Sequence, residues 1–210
     1  MKKAATLALT CTLIAAAFAA QESEEGFVPL TDGSSFAGWK AGTENPGTWK
    51  IEEGAFVTRG PRSHLFYVGD GQPFKNFELK VEVMTAPGSN GGIYFHTRYQ
   101  ESNWPTAGFE TQVNNTHSDW KKTGSVYDVA SVGFAAAEDN KWWTQHVIAE
   151  GNTVTVKVDG RTVVQYKEPS GAQPGNVFER KLGSGTFALQ GHDPKSVVHY
   201  RSIRVKRLPD

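Results

Sequence analysis

The stretch TVTVKVDGRTVVQY, residues 153–166, alternates apolar and polar residues on both sides of the dipeptide Asp159-Gly160. Alternation with a period of two places successive side chains on opposite faces of a β-strand. An Asp-Gly dipeptide suits the positive φ angles of a type I′ turn. The stretch therefore predicts two antiparallel strands joined by a tight hairpin.

Further strand-like segments run along the rest of the chain. WKIEEGAFVTR (49–59) predicts a second hairpin around Glu53-Gly54, and NFELKVEVMT (76–85) alternates without interruption. In VVHYRSIRVKRL (197–208) the alternation slips between Tyr200 and Ile203, which predicts a β-bulge. No segment favours a helix. Ten or more strands without an internal repeat predict an all-β fold, an antiparallel β-sandwich of jelly-roll type.

Composition limits the function classes. The 210 residues include 22 Lys and Arg against 22 Asp and Glu, so the formal net charge is zero. This balance gives no electrostatic basis for binding nucleic acid or an anionic membrane. The chain length favours one domain.

The first residues predict export. Residues 1–20, MKKAATLALTCTLIAAAFAA, combine two lysines, an apolar run and a small-residue cleavage site, as a signal peptide does. The apolar run is shorter than the ~20 residues of a membrane span, which disfavours the alternative of a short anchor. We therefore expect a signal peptide at 1–20, a flexible segment at 21–26 and a domain at 27–210. The mature protein would be secreted or periplasmic and, since Cys11 is the only cysteine, without thiols.

Three strands have unusual polar faces. In GGIYFHTR (91–98), GFETQVNN (108–115) and GTFALQGH (185–192) one face is apolar. Strict alternation gives the opposite face these residues: Tyr94, His96, Arg98, Glu110, Gln112, Asn114, Gln190 and His192. A solvated sheet surface usually carries Lys, Thr, Glu and Ser, whereas these groups are typical of a site for a hydroxylated ligand. A binding or catalytic face is the favoured interpretation, and a solvated surface is the alternative.

Aromatic residues and the remaining histidines divide between site and core. Trp104 and Trp120 lie in segments near the Glu110 strand and are candidate pocket walls, while Trp39 and Trp49 are expected in the core. The other histidines, which are His64, His117, His146 and His199, are expected to be structural or on the surface. A zinc cluster of His96, Glu110 and His192 lacks any HExxH motif or close ligand pair, so no cofactor is predicted.

The ordered motifs resemble the 3-keto-disaccharide hydrolase domain family, which has a concanavalin A-like sandwich fold. SNGGIYF (89–95) resembles the family's Asn-Ser-Gly-Ile-Phe-Phe strand, GFETQV (108–113) its Gly-Tyr-Glu-x-Gln strand, and TGSVY (123–127) its Thr-Gly-Ala-x-Tyr turn. The opening GFVPLTDGSSFAGWK (26–40), the hairpin at 142–160 and FALQGH (187–192) with YRSIRVKRL (200–208) complete six motifs in the family's order.

The resemblance also implies functional residues. Those that match recurring polar positions of the family are Glu110, Gln112, Tyr127, Gln190, His192 and Arg201. Arg201 is also a candidate for fixing the last strand to its neighbours. The chain departs from the family at three positions: His96 stands where Arg is usual, and Asn115 and Gly191 stand where Asp is common.

The implied activity is the cleavage of glycosides that carry a ketone at sugar carbon 3. Such a reaction needs an acid–base pair and donors for an enolate oxygen. Glu110 and His192 are the expected pair, in either order. His96, Arg98, Gln112 and Gln190 would orient the sugar, and an oxidoreductase would have to supply the keto-sugar. A carbohydrate-binding module of the same fold and an ordinary β-glucanase remain the alternatives, although a glucanase generally uses two carboxylates.

Overall fold

The computed structural model describes residues 24–210, so the predicted signal peptide and Cys11 lie outside the described residues. In this part of the chain there is one short 3₁₀ helix, Pro46–Thr48, and no α-helix. The strands, in chain order, are β1 (Val28–Pro29), β2 (Trp39–Ala41), β3 (Trp49–Glu52), β4 (Ala55–Thr58), β5 (Ser63–Tyr67), β6 (Phe77–Thr85), β7 (Gly91–Thr97), β8 (Phe109–Val113), β9 (Trp143–Glu150), β10 (Thr153–Val158), β11 (Arg161–Lys167), β12 (Thr186–Gly191) and β13 (Val198–Arg207).

The strands form two antiparallel sheets, as predicted. The larger sheet has eight strands in the order β11-β10-β9-β6-β13-β4-β3, with β1 paired to β13. The smaller sheet has five strands in the order β2-β5-β12-β7-β8. Within residues 24–210, no helix is long and apolar enough to cross a bilayer.

The core lies between the two sheets and follows from the period-two pattern. On β6 of the larger sheet, Phe77, Leu79, Val81 and Val83 are buried, and the residues between them are partly exposed. The apolar residues of β7, β8 and β12 meet them from the smaller sheet, and Trp39 and Trp49 also lie in this core, as predicted. The face of the smaller sheet that is turned away from the core therefore takes no part in packing the two sheets together.

Both predicted hairpins and the predicted bulge of the last strand are confirmed. Asp159 and Gly160 have φ angles of 47° and 77°, and Glu53 and Gly54 have 49° and 79°, which are the left-handed values of a type I′ turn. The register of β13 against β6 shifts between Arg201 and Arg204. Ser202, between these two residues, has a φ of 48°.

A bulge in β7, which the sequence did not predict, overturns the expected polar face of that strand. The register of β7 against β12 shifts between Thr186 and Ala188, and His96 has a left-handed φ of 53°. Because a bulge inserts one extra residue, the alternation of side chains does not continue through it. Tyr94 therefore keeps the predicted face, whereas His96 and Arg98 do not.

Candidate active site

A cavity of about 290 Å³ lies on the face of the smaller sheet that is turned away from the core. The sheet contributes Tyr94, Glu110, Gln112 and Gln190. The connecting segments contribute Asn90, Trp104, Asp119, Tyr127, Asp128, Phe178, Arg180 and His192. The volume is near the lower end of small-molecule sites, which span roughly 300–1,000 Å³, and it suits one sugar ring better than an oligosaccharide.

Glu110 lies in the sheet that forms the cavity floor and is only 5% exposed. The Tyr94 hydroxyl donates to its Oε2 at 2.9 Å, and Nε2 of Gln190 donates to its Oε1 at 2.9 Å. Burial raises the pKa of Glu110, while the positive charge of Arg180 and these hydrogen bonds act in the opposite direction. Both oxygens accept hydrogen bonds, so the surroundings suit a carboxylate that is more basic than an exposed one.

Gly92 makes room for this carboxylate. Gly92 pairs with Gln112 on β8 and with Gln190 on β12, beside the position of Glu110. A Cβ atom on residue 92 would lie 2.3 Å from Oε1 of Glu110. Gly92, the second glycine of the GGIYF segment, is thus required by the site and not by a turn.

His192 is oriented by the residue that follows it. Its Nδ1 lies 2.8 Å from Oδ2 of Asp193, which also accepts from the Ser196 hydroxyl at 2.7 Å. Burial by itself raises the pKa of Asp193, but hydrogen bonds from Ser196, His192 and the backbone N–H of Lys195 lower it to about 2. Asp193 is then a carboxylate that only accepts, so Nδ1 of His192 carries a proton and Nε2 is the nitrogen that can exchange one.

Aromatic rings and histidines surround His192. The ring centres of His192 and Trp104 are 5.3 Å apart, and those of His192 and His117 are 5.6 Å apart. His64 packs against Trp104 and Tyr94, and burial lowers the pKa of His64 to about 3, so it is neutral. His117 and His64, expected to be structural or on the surface, therefore flank the cavity.

The segment after β8 contributes two further carboxylates, Asp119 and Asp128. The Tyr127 hydroxyl lies 3.5 Å from Oδ2 of Asp119. Asp128 forms an ion pair with Lys121 at 2.9 Å, and the Lys121 ammonium lies 4.2 Å from the centre of the Tyr127 ring. The polar faces of the strands had indicated Glu110 alone, so these two carboxylates are an addition to the predicted site.

The structure brings together part of the predicted site. Glu110, Gln112, Gln190, His192, Tyr127 and Trp104 all line the cavity. Trp120 does not line it and is 60% exposed, because the loop directs its ring toward solvent. Arg201 lies on the larger sheet, where it pairs with Glu82 at 2.8 Å.

The bulge in β7 places His96 and Arg98 outside this cavity, away from the face on which they were expected. His96 Nε2 contacts the carbonyl oxygen of Lys75 at 2.8 Å, and its ring packs against Phe77. Arg98 forms an ion pair with Glu179. Both residues line a second cavity of about 670 Å³, which shares no lining residue with the first.

The departures from the family motifs at 115 and 191 lie outside the cavity lining. Asn115 is buried, donates to the Thr85 hydroxyl at 3.1 Å and accepts from the Thr123 hydroxyl at 2.7 Å. Gly191 is buried against Thr48 and Thr58, where a Cβ atom would lie 3.0 Å from the Thr48 methyl group. Both positions therefore serve packing in this protein.

One group of side chains has the composition of a metal site. Ligand atoms of His117, His192 and Asp193 lie within 4.8 Å of one another. However, Nδ1 of His192 already contacts Asp193, and Nδ1 of His117 accepts the backbone N–H of Asp119 at 3.1 Å. An ion could use Nε2 of His192, but it would have to displace the Asp119 N–H from His117, because a neutral ring that accepts at Nδ1 carries its proton at Nε2. The donor set therefore fits a metal poorly. The alternative zinc cluster is not assembled, because His96 lines the other cavity.

Several cavity residues have no signal in the sequence. Arg180, Phe178, Asp119 and Asp128 come from irregular segments, where no periodicity indicates the direction of a side chain. Asn90 differs, since it precedes the GGIYF strand directly and its Oδ1 accepts from Gln112 at 3.1 Å. Its place in a family-like motif is the one feature of the sequence that indicates it.

The profile of one protein family matches residues 26–206, almost the whole described chain. The chain belongs to the 3-keto-alpha-glucoside-1,2-lyase-like domain family. A 3-keto-disaccharide hydrolase of Bacteroides thetaiotaomicron is 33% identical, and the match covers 88% of this chain and 79% of that protein.

Solved structures show the same fold. A proposed glycosyl hydrolase from Parabacteroides distasonis superposes with a TM-score of 0.72 at 21% identity, covering 88% of this chain and 95% of that one. A carbohydrate-binding module from Bacillus subtilis superposes with a TM-score of 0.57 at 15% identity, covering 81% of this chain and 96% of that one. At these identities the likeness is one of fold alone, so the family assignment rests on the sequence matches.

Proposed function

We propose that this family member hydrolyses glycosides that carry a ketone at sugar carbon 3. Action on carbohydrate is supported by the family and by the relative named 3-keto-disaccharide hydrolase. The proposal that the substrate carries a ketone at carbon 3 rests on the environment of Glu110. A buried carboxylate of raised pKa, held by Tyr94 and Gln190 in a cavity that suits one sugar ring, is suited to removing a weakly acidic C–H proton.

The proposed reaction begins at carbon 2 of the sugar. The ketone at carbon 3 acidifies the hydrogen on carbon 2, and Glu110 takes that proton as the C–H electron pair forms an enolate. The enolate then re-forms the ketone and expels the glycosidic oxygen from carbon 1. Water adds to the resulting double bond: its hydroxyl goes to carbon 1, Glu110 returns its proton to carbon 2, and the proton of the water replaces the one that the leaving oxygen took. The net change is hydrolysis.

His192 is assigned as the acid for the leaving oxygen. Asp193 fixes its ring through Nδ1, which leaves Nε2 available at the cavity wall. An imidazolium whose other nitrogen is held by a carboxylate is a well-oriented proton donor, in the way that an Asp–His pair works in other hydrolytic sites. Glu110 and His192 thus take the two parts of the acid–base chemistry.

The test compares two substrates, a 3-keto-disaccharide and 4-nitrophenyl 3-keto-glucoside. E110Q should lose at least ~10²-fold in kcat on both, because removing the proton precedes either departure. H192A should lose a similar factor on the disaccharide and far less on the nitrophenyl glycoside, since nitrophenolate leaves without protonation. E82Q, which changes a partly exposed carboxylate on the larger sheet, is the control.

Four outcomes would contradict the proposal at different levels. Full activity of E110Q removes Glu110 as the base. Equal losses of H192A on both substrates remove His192 as the acid. Sugar binding without cleavage would favour the binding module, and cleavage of an unoxidised glucan would favour an ordinary glucanase that uses Asp119 or Asp128 with Glu110.

The proposed chemistry has two biological requirements. A sugar oxidoreductase must introduce the ketone at carbon 3, because Glu110 cannot acidify a carbon hydrogen by itself. If the segment 1–20 is a cleaved signal peptide, that oxidation product must reach the protein in the periplasm or outside the cell.

A further inference from the structure

Arg180 is the only Lys or Arg among the cavity-lining residues of the described part of the chain. Its Nη1 atom is buried and has no hydrogen-bond partner within residues 24–210. A buried cationic donor without an acceptor is costly, and in native proteins such a group calls for an explanation. A ligand oxygen in the cavity would supply the missing acceptor.

The backbone is held so that Arg180 turns toward this cavity. Arg180 has a φ of 42°, which is uncommon for a residue other than glycine. On one side, the Glu179 N–H donates to the carbonyl of Thr106 at 2.8 Å, and on the other the Leu182 N–H donates to Oε1 of Glu168 at 2.9 Å. Glu179 and Lys181, the immediate neighbours of Arg180, line the second cavity instead.

Aromatic rings, and not carboxylates, hold the guanidinium. Its central carbon lies 5.0 Å from the ring centre of Phe178 and 6.0 Å from that of Tyr127. Contacts with aromatic faces use the charge of a guanidinium and leave its in-plane N–H groups free to bind a planar oxygen group. The charge also opposes the effect of burial on the pKa of Glu110, which places the two groups in electrostatic contact.

We propose that Arg180 binds the oxygen on sugar carbon 3 and stabilises the negative charge that develops there. This inference rests on the proposed function. As Glu110 takes the proton from carbon 2, the electron pair moves toward carbon 3 and its oxygen becomes an enolate oxygen. That charge moves on to the glycosidic oxygen when the bond to carbon 1 breaks. Arg180 is therefore the guanidinium of this cavity, where Arg98 had been expected among the residues that orient the sugar.

A guanidinium in this position also explains selection for the ketone. A hydroxyl at carbon 3 develops no negative charge, so the unoxidised glycoside gains nothing from Arg180 in the transition state. Interactions that strengthen only in the transition state raise kcat and leave KM little changed. Arg180 would thus contribute to turnover more than to substrate affinity.

The experiment measures kcat and KM of R180A and R180K on 4-nitrophenyl 3-keto-glucoside. R180A should lose roughly 10²–10³-fold in kcat, the usual effect of removing one oxyanion donor, with little change in KM. Guanidinium chloride at non-denaturing concentration should restore part of the R180A activity. R180K, which keeps the charge without the planar fork, should lie between R180A and the wild type. R59M removes an exposed arginine that directly follows β4, remote in sequence from the cavity-lining segments, and should behave as the wild type.

The outcomes separate this inference from the proposed function. If the wild type cleaves the substrate and R180A stays within about 3-fold of it, Arg180 is not the oxyanion ligand. A loss of kcat that guanidinium does not restore, together with a lowered Tm, marks a structural role and also overturns the inference. If the wild type itself does not cleave any 3-keto-glycoside, the proposed function fails and Arg180 fails with it.

Discussion

Substituting Gly92 by alanine places a Cβ atom 2.3 Å from Oε1 of Glu110 and 2.9 Å from its Cγ and Cδ atoms. Ordinary contact for a Cβ atom begins near 3.4 Å, so the carboxylate must move by about 1 Å. Gly92 does not have a positive φ, so the alanine itself is not strained by its backbone conformation. The substitution therefore tests the position of one side chain.

The displacement has two measurable consequences. A shift of 1 Å in a catalytic group can cost on the order of 10²-fold in rate, so G92A should lose about that factor in kcat on a 3-keto-glycoside. The overpacked site should also lower the free energy of unfolding by about 1–3 kcal/mol. Urea unfolding and steady-state kinetics on the same preparation give both values.

Controls separate the clash from a general effect of removing a glycine. Gly71 is exposed, and nothing lies within 4 Å of the place that a Cβ atom would take there, so G71A should match the wild type in both assays. In an E110A background the clash partner is absent, so G92A should cost much less stability there than in the wild type. Full activity in G92A, or the same stability loss in both backgrounds, would refute the reasoning.

Two further predictions concern the buried polar groups. H96A should keep at least half of the wild-type activity but lose about 1–3 kcal/mol of unfolding free energy. The reason is that the His96 ring packs on Phe77 and hydrogen-bonds to the carbonyl oxygen of Lys75, outside the cavity. A large loss of kcat with unchanged stability would instead place His96 in the site. E110Q should become more stable than the wild type as pH rises. The pKa of Glu110 is higher in the folded protein than in the unfolded chain, where it is near 4.5, so above pH 4.5 ionisation of Glu110 favours the unfolded wild-type chain. Tm measured from pH 4 to pH 8 checks this, and a gap between the two proteins that narrows as pH rises would show that the carboxylate is stabilising.

Regular strands made the fold predictable. In β6 and β10 the alternation of apolar residues is set by a sheet with one buried face, and the Asp-Gly turn pairs Val158 with Arg161, although the register of the hairpin shifts between Val156 and Lys157. The same rule placed Glu110, Gln112 and Gln190 on one face, because β8 and the cavity-lining part of β12 contain no irregularity.

Irregular backbone limited the prediction of the site. A bulge depends on pairing between distant segments, so the left-handed His96 could not be inferred from GGIYFHTR alone. Arg180 lies in a segment without regular structure, and its direction depends on anchors to Thr106 and Glu168 that are remote in sequence. Period-two reasoning therefore found the residues of the sheet and missed those of the loops.

The single extra residue in β7 determines which charges the sugar site receives. With the bulge, the strand offers Tyr94 to the smaller cavity and gives His96 and Arg98 to the larger one. A relative with nearly the same residues but an unbroken strand would place an imidazole and a second guanidinium beside Glu110. Straightening this strand without removing a residue is thus a route to a pocket that favours anionic sugars, whereas deleting one residue would leave Arg98 on the face opposite Tyr94.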